Sequence, residues 1–87
     1  MLTINDLAQG WVIENGTHLK KDFNFKSYLK TISFVNAIAW EANVQNHHPD
    51  LEVSFGKCVV KITTHDNGNT LSEKDFLLAK AIDRLQA

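Results

Sequence analysis

Apolar and polar residues alternate in the first part of the chain, with the two-residue period of a β-strand. Residues 11–14 are predicted to form a strand, and the Asn15-Gly16 pair that follows them is a strong signal for a tight hairpin turn. Residues 17–25 then form the return strand, in which Leu19, Phe23 and Phe25 share one parity. The other parity is polar and consists of His18, Lys20, Asp22 and Asn24. The pattern predicts a β-hairpin with one buried face and one face in water.

The period changes to that of an α-helix after Ser27, which is a suitable N-cap. The helix must end before Pro49, because proline disfavours the α conformation in the residue before it. Phe34 and Trp40 lie outside the apolar stripe of this helix, so they either widen the core face or make a second contact, such as a subunit interface. The stripe itself recurs at steps of three and four and consists of Tyr28, Ile32, Val35, Ile38, Ala39 and Ala42.

A second alternating region, residues 51–64, contains Gly56-Lys57 near its middle. Glycine at the first central position suits a type II′ turn, so we expect the hairpin to reverse at these two residues. Continued to the open end of the hairpin, this register brings His48 beside His65. The register also makes each inward-facing pair apolar, namely Phe55 with Cys58, Val53 with Val60 and Leu51 with Ile62.

The chain closes with a second amphipathic helix that begins after Ser72. Ser72 is a suitable N-cap, Leu71 can pack on Phe76 as a hydrophobic staple, and a short helical turn is also expected within residues 1–9. The predicted order is therefore (α)-β-β-α-β-β-α. It predicts an α+β fold, in which a four-stranded antiparallel sheet carries both long helices on one face.

The composition is that of one soluble domain covering residues 1–87. The net charge is −1 and no basic stripe is present, which argues against direct nucleic-acid binding. A single cysteine allows no internal disulfide, so we expect a cytoplasmic protein, and neither a signal sequence nor an apolar run of membrane-spanning length is visible. The core of so short a chain is thin, which favours self-association.

Three of the four histidines are expected to meet at the junction of the long helix and the second hairpin. The register places His48 beside His65, and His47 adjoins them at the helix end. Such a cluster can exchange protons near neutral pH, hold a metal ion, or form a polar sheet end without a function. Adjacent histidines point in divergent directions and no cysteine accompanies them, so proton transfer is better supported than a metal site, and no metal is predicted.

Asp75 allows two interpretations. As the third residue after Ser72, it completes an S-x-x-D capping pattern at the start of the last helix. Alternatively, its carboxylate orients one of the imidazoles. The sequence alone favours the capping role.

The spacing of these residues resembles that of the pterin-4a-carbinolamine dehydratases, which are also known as dimerisation cofactors of a homeodomain transcription factor. One position departs from the family pattern, because Asn43 stands four residues before His47, where the family usually carries an ionisable residue. An amide cannot stabilise a charged imidazole as a carboxylate does, which implies a slower enzyme or a member that has lost the activity. The resemblance extends from Gly10-Trp11 to Ile82-Asp83 and is carried by His47-His48-Pro49, Phe55, Thr63-Thr64-His65 and residues 72–76.

The resemblance implies a substrate, a 4a-hydroxytetrahydropterin, and the elimination of water across its C4a–N5 bond to give the quinonoid dihydropterin. It implies that His47 and His48 protonate the leaving hydroxyl, and that His65 binds the ring and assists proton transfer. The other implied contacts are polar ones from Asn46, Thr63, Thr64 and Asp66, a wall shaped by Pro49 and Phe55, and support from Asn43 and Asp75.

No metal or redox cofactor is expected in such a reaction, because no electrons move. The resemblance and the thin core together imply a homodimer or a homotetramer. The rival interpretation is a non-catalytic interaction or coactivator module of the same fold, which binds a protein partner through its helices. A histidine-rich metal-binding protein is a third, weaker alternative.

Overall fold

The computed structural model describes residues 2–65, 68 and 70–86. Its strands form one antiparallel sheet in the order β1-β2-β4-β3, and both helices pack on the same face of that sheet. The predicted α+β fold and its element order are therefore confirmed. After a single 3-10 turn at Ile4–Asp6, the elements are β1 (Val12–Glu14), β2 (His18–Asn24), α1 (Tyr28–Gln45), β3 (Asp50–Ser54), β4 (Lys57–Ile62) and α2 (Glu73–Arg84).

The loop of the first hairpin is one residue longer than predicted. Glu14 pairs with His18, so Asn15, Gly16 and Thr17 all lie in the loop. Asn15 and Gly16 have positive φ angles of 54° and 72°, as expected for a turn that matches the twist of the strands. Thr17 is the additional residue, and its amide donates to the carbonyl oxygen of Glu14 at 3.0 Å.

The register of the second hairpin differs from the prediction by two residues. Ser54 pairs with Lys57, so the chain reverses at Phe55-Gly56. Gly56 does not have the positive φ of a type II′ turn. Glycine is needed here for a different reason, because a Cβ atom at this position would lie 2.7 Å from the carbonyl oxygen of Phe25. A shift of two residues preserves the parity, so Cys58, Val60 and Ile62 still face the core, whereas Val53 and Phe55, which were expected to face inward, are exposed.

The core lies between the sheet and the two helices. Phe34 is buried there, with its ring centroid 4.7 Å from that of Phe23 and 5.0 Å from that of Phe25. Trp40 is 70% exposed. The sequence left open whether Phe34 and Trp40 widen the core face or make a second contact. In the structure Phe34 widens the core face, and Trp40 lies on the surface of α1.

The buried face of α1 is rotated from the predicted stripe. Tyr28 and Ala39, which the prediction placed inside, are exposed, while Thr31 is completely buried. The Thr31 hydroxyl donates to the carbonyl oxygens of Ser27 and Phe55, each at 2.9 Å, so its burial leaves no polar group unpaired. The buried residues of α1 are Thr31, Phe34, Ile38 and Ala42.

Both helices begin as predicted. The hydroxyl of Ser27 accepts from the amide of Lys30 at 3.1 Å, and the carboxylate of Asp75 accepts from the amide of Ser72 at 2.7 Å. The other end of α1 is set by Asn46, which adopts the left-handed conformation at φ 51° and ψ 43°. In the part of the chain that the structure describes, no helix combines the length and the apolar character needed to cross a bilayer.

Candidate active site

The left-handed turn at Asn46 directs the following residues into a cavity between the end of α1 and the start of α2. The cavity has a volume of about 330 Å³. The three predicted histidines all contribute to its wall, together with three of the predicted contact residues. Its lining consists of Asn46, His47, His48, Pro49, Asp50, Thr64, His65 and Lys74.

The histidines meet by a different route from the one predicted. The ladder between β3 and β4 ends at Asp50 and Lys61, and its observed register would bring His48 opposite Thr63 rather than His65. His65 reaches the cavity because the chain leaves β4 after Ile62 and Thr64 bridges to Thr70, whose carbonyl oxygen accepts the Thr64 amide at 3.0 Å. The predicted pairing of His48 with His65 is therefore wrong, although the two residues line one cavity.

His47 is held by Asp75. Its Nε2 atom lies 2.6 Å from Oδ1 of Asp75, a carboxylate with no exposed surface. An ionised carboxylate only accepts hydrogen bonds, so Nε2 carries the proton in this contact. The imidazole is thereby fixed in orientation and tautomer, and Nδ1 is the nitrogen that remains for other partners.

The second carboxylate oxygen of Asp75 links the cavity to the helix cap. Oδ2 accepts from the Thr64 hydroxyl at 2.8 Å and from the Ser72 amide at 2.7 Å. The Thr64 hydroxyl lies 2.6 Å from the Ser72 hydroxyl, and because Thr64 gives its proton to Asp75, Ser72 is the donor in that pair. Asp75 therefore has both of the roles between which the sequence had to choose, since it caps α2 and orients His47.

Several predicted residues do not line this cavity. Phe55 is 68% exposed in the turn at the opposite end of the β3–β4 hairpin, with its ring centroid 6.4 Å from that of Tyr28. Thr63 is buried, and its hydroxyl donates to the carbonyl oxygen of Thr17 at 2.7 Å. Asn43 is exposed on α1. Asp66 lies outside the described residues.

Asp50 and Lys74 line the cavity without having been predicted. Lys74 is an exposed cation in the first turn of α2, where the helix dipole favours negative charge. A lysine at that position, next to Asp75, is the one signal in the sequence that would have identified Lys74 as a residue of the site. Asp50 follows Pro49 and gives no comparable signal. Within the described residues no three His, Cys, Asp or Glu side chains are arranged to hold a metal ion.

Comparison with known proteins assigns the chain to a family. The family model described as pterin 4 alpha carbinolamine dehydratase matches residues 2–85. The chain is 47% identical over 87 residues to a protein of Bdellovibrio bacteriovorus and 49% identical over 74 residues to one of Legionella pneumophila, both provisionally named pterin-4-alpha-carbinolamine dehydratase. These matches cover 97% and 85% of this chain but 69% and 65% of the two relatives, so the chain spans about two thirds of their length.

Two solved structures share the fold. A Brucella melitensis protein described as a transcriptional coactivator/pterin dehydratase superposes with a TM-score of 0.89 at 24% identity, covering 97% of this chain and 88% of that one. A pterin dehydratase-like protein described as a RuBisCO assembly factor in the alpha-carboxysome superposes with a TM-score of 0.75 at 22% identity, covering 88% and 89%. At these identities the likeness concerns the fold alone. The match of the family model to nearly the whole chain is decisive, and the chain belongs to the pterin-4-alpha-carbinolamine dehydratase family.

Proposed function

We propose that this chain dehydrates a 4a-hydroxytetrahydropterin by acid–base catalysis with imidazole side chains. The observation that carries the proposal is the meeting of His47, His48 and His65 at one cavity in a chain of this family. Imidazole is suited to the task because both of its protonation states are populated near neutral pH in water.

The reaction requires one proton to be delivered and one to be removed. Hydroxide is a poor leaving group, so an acid protonates the oxygen on C4a while a base removes the proton on N5. His47 and His48 are proposed for the first step. The contact with Asp75 supports His47 in this role, since it directs Nε2 away from the substrate and leaves Nδ1 to exchange the proton.

The remaining polar groups of the cavity are proposed to hold the pterin ring. His65 binds the ring and assists proton transfer, Asn46 and Thr64 offer hydrogen bonds, and Pro49 shapes the wall. The elimination of water transfers no electrons, so the proposed mechanism uses no redox cofactor. Asp66 is proposed as a further ring contact.

A second candidate function is an interaction module, favoured by the exposed face of α1. Leu29, Trp40 and Val44 are 76%, 70% and 63% exposed, which is unusual for large apolar side chains on one helix. We propose that this face mediates self-association to a homodimer or homotetramer. Light scattering of the wild type and of Trp40→Lys tests this point, and a monomeric wild-type protein would contradict it.

A dehydratase assay with the purified chain tests the main proposal. His48→Ala should lower kcat by roughly a hundredfold, the scale of general acid catalysis. His18→Ala is the matched control, because His18 lies on β2 outside the cavity, with its Nδ1 atom 2.7 Å from the Thr17 hydroxyl. Near wild-type turnover in a folded His48→Ala protein would overturn the role of His48, and an inactive wild type would overturn the dehydratase.

A further inference from the structure

A second cavity adjoins the histidine cavity. It has a volume of about 390 Å³, and it lies between α1 and α2 on the other side of His47. The two cavities share His47 and Lys74, so these two side chains form the boundary between them. The remaining lining residues of this second cavity, called the helix cleft below, are Glu41, Gln45, Leu77, Ala81 and Arg84.

The helix cleft differs in chemistry from the histidine cavity. Its apolar part is supplied by Leu77, which is 48% exposed, and by Ala81. Lys74 and Arg84 bring two positive charges against the single negative charge of Glu41. Among the described residues, neither cation lies within 4.0 Å of a carboxylate oxygen, so both charges remain available for a ligand.

The two cavities fit the two parts of a substituted pterin. Each is near the small end of the roughly 300–1,000 Å³ range of ligand sites, so a ring and its substituent would occupy one each. Natural pterins carry a substituent on the pyrazine ring. With the ring among the histidines, such a substituent can extend past His47 into the helix cleft.

We infer that the helix cleft is a substituent subsite and that its cations select pterins whose substituent ends in a carboxylate or a phosphate. This inference rests on the proposed function, because it takes the histidine cavity to bind the pterin ring. Arg84 supplies a planar fork suited to either anion, and Lys74 supplies a point charge at the boundary. Leu77 and Ala81 cover the apolar part of the linker, and Glu41 limits the affinity.

Equilibrium binding to matched probes tests the inference without catalysis. The neutral probe is 6-hydroxymethyl-7,8-dihydropterin, its pyrophosphate ester is the phosphate probe, and 7,8-dihydropteroylglutamate is the carboxylate probe. Both acidic probes are expected to bind more tightly than the neutral one at low ionic strength, and the difference should shrink as salt is added. If only one acidic probe binds more tightly than the neutral probe, the helix cleft recognises the anionic group of that probe, and the other anion is excluded.

Variants of the helix cleft distinguish the effect of its local charges on probe affinity from the effect of the protein's net charge. Arg84→Gln should weaken binding of the acidic probes about fivefold and leave the neutral probe unchanged. Glu41→Gln should strengthen binding of the acidic probes. Lys80→Gln is the matched control, since Lys80 is an exposed lysine of α2 that lines neither cavity, and it should change neither affinity.

Equal affinity for all three probes would overturn the inference, as would equal effects of Arg84→Gln and Lys80→Gln. These outcomes leave the dehydratase proposal standing. Conversely, a chain that prefers the acidic probes but does not turn over the carbinolamine would overturn the dehydratase and retain the subsite. Failure of every probe to bind would overturn the inference, while the dehydratase proposal is decided by turnover of the carbinolamine alone.

Discussion

The Nε2 atom of His47 lies 2.6 Å from Oδ1 of Asp75, and this contact joins the residue after the C-cap of α1 to the first turn of α2. The same carboxylate accepts from the Ser72 amide and from the Thr64 hydroxyl. One buried side chain thus stabilises the start of a helix and fixes an imidazole at the wall of the candidate site. The cap of α2 and the geometry of the site therefore depend on each other.

Asp75→Asn is expected to affect both roles. The amide retains one acceptor but presents a donor to the cavity side, so it disturbs the tautomer of His47 or breaks the contact. We expect the free energy of unfolding to fall by about 2 kcal/mol and kcat to fall at least roughly tenfold, with little change in KM. Urea unfolding and steady-state dehydratase kinetics measure the two effects.

Ser72→Ala is the control for that variant. It removes the hydroxyl that donates to Thr64 but keeps the backbone amide that Asp75 caps. It should lower the free energy of unfolding by about 1 kcal/mol while kcat stays within about threefold of the wild type. If Asp75→Asn lowered kcat no more than Ser72→Ala did, the orienting role of Asp75 would be refuted.

Asn43→Glu tests the one departure from the family pattern. A residue four positions before His47 would lie near it on a continuous helix, but the left-handed Asn46 ends α1 first and Asn43 stays exposed. An added carboxylate there is screened by solvent, so we expect kcat to change by less than about threefold at physiological salt. A gain of tenfold or more in the dehydratase assay would show that residue 43 reaches the reacting groups.

Gly56→Ala should destabilise the protein more than a substitution in a turn usually does. The added Cβ would lie 2.7 Å from the Phe25 carbonyl oxygen, which belongs to the backbone and cannot move away cheaply. We expect the free energy of unfolding to fall by about 2 kcal/mol. Ser54→Ala, at an exposed position of the same hairpin, should stay within about 0.5 kcal/mol. Equal stabilities in urea unfolding would contradict the close approach at Gly56.

Cys58 should be unreactive in the folded protein. Burial raises the pKa of its thiol above the ordinary value of 9.0, and the side chain has no exposed surface. The unfolded thiol then loses its proton at a lower pH than the folded one, so this residue lowers the free energy of unfolding as pH rises above about 9. A disulfide reagent at mildly alkaline pH should label Cys58 only after denaturation. Rapid labelling of the native protein would contradict its burial.

The sequence by itself determined the element order, the alternation along β2 and β4 and the positions of the two helix N-caps. These features depend on local periodicity and on residues with strong backbone preferences, such as Ser27 and the Asn15-Gly16 pair. It also indicated which histidines belong together. The predicted parity of β3 and β4 is correct although the predicted position of the turn is wrong, because a shift of two residues leaves each side chain on the same face.

Only the tertiary structure decided the contacts between segments that are distant in the chain. The need for glycine at position 56 follows from the approach of the Phe25 backbone, and the double role of Asp75 follows from the position of His47 beside α2. Lys74 likewise reaches the cavity through the packing of α2 against the end of α1. No local pattern encodes such contacts, because they depend on how whole elements pack against one another.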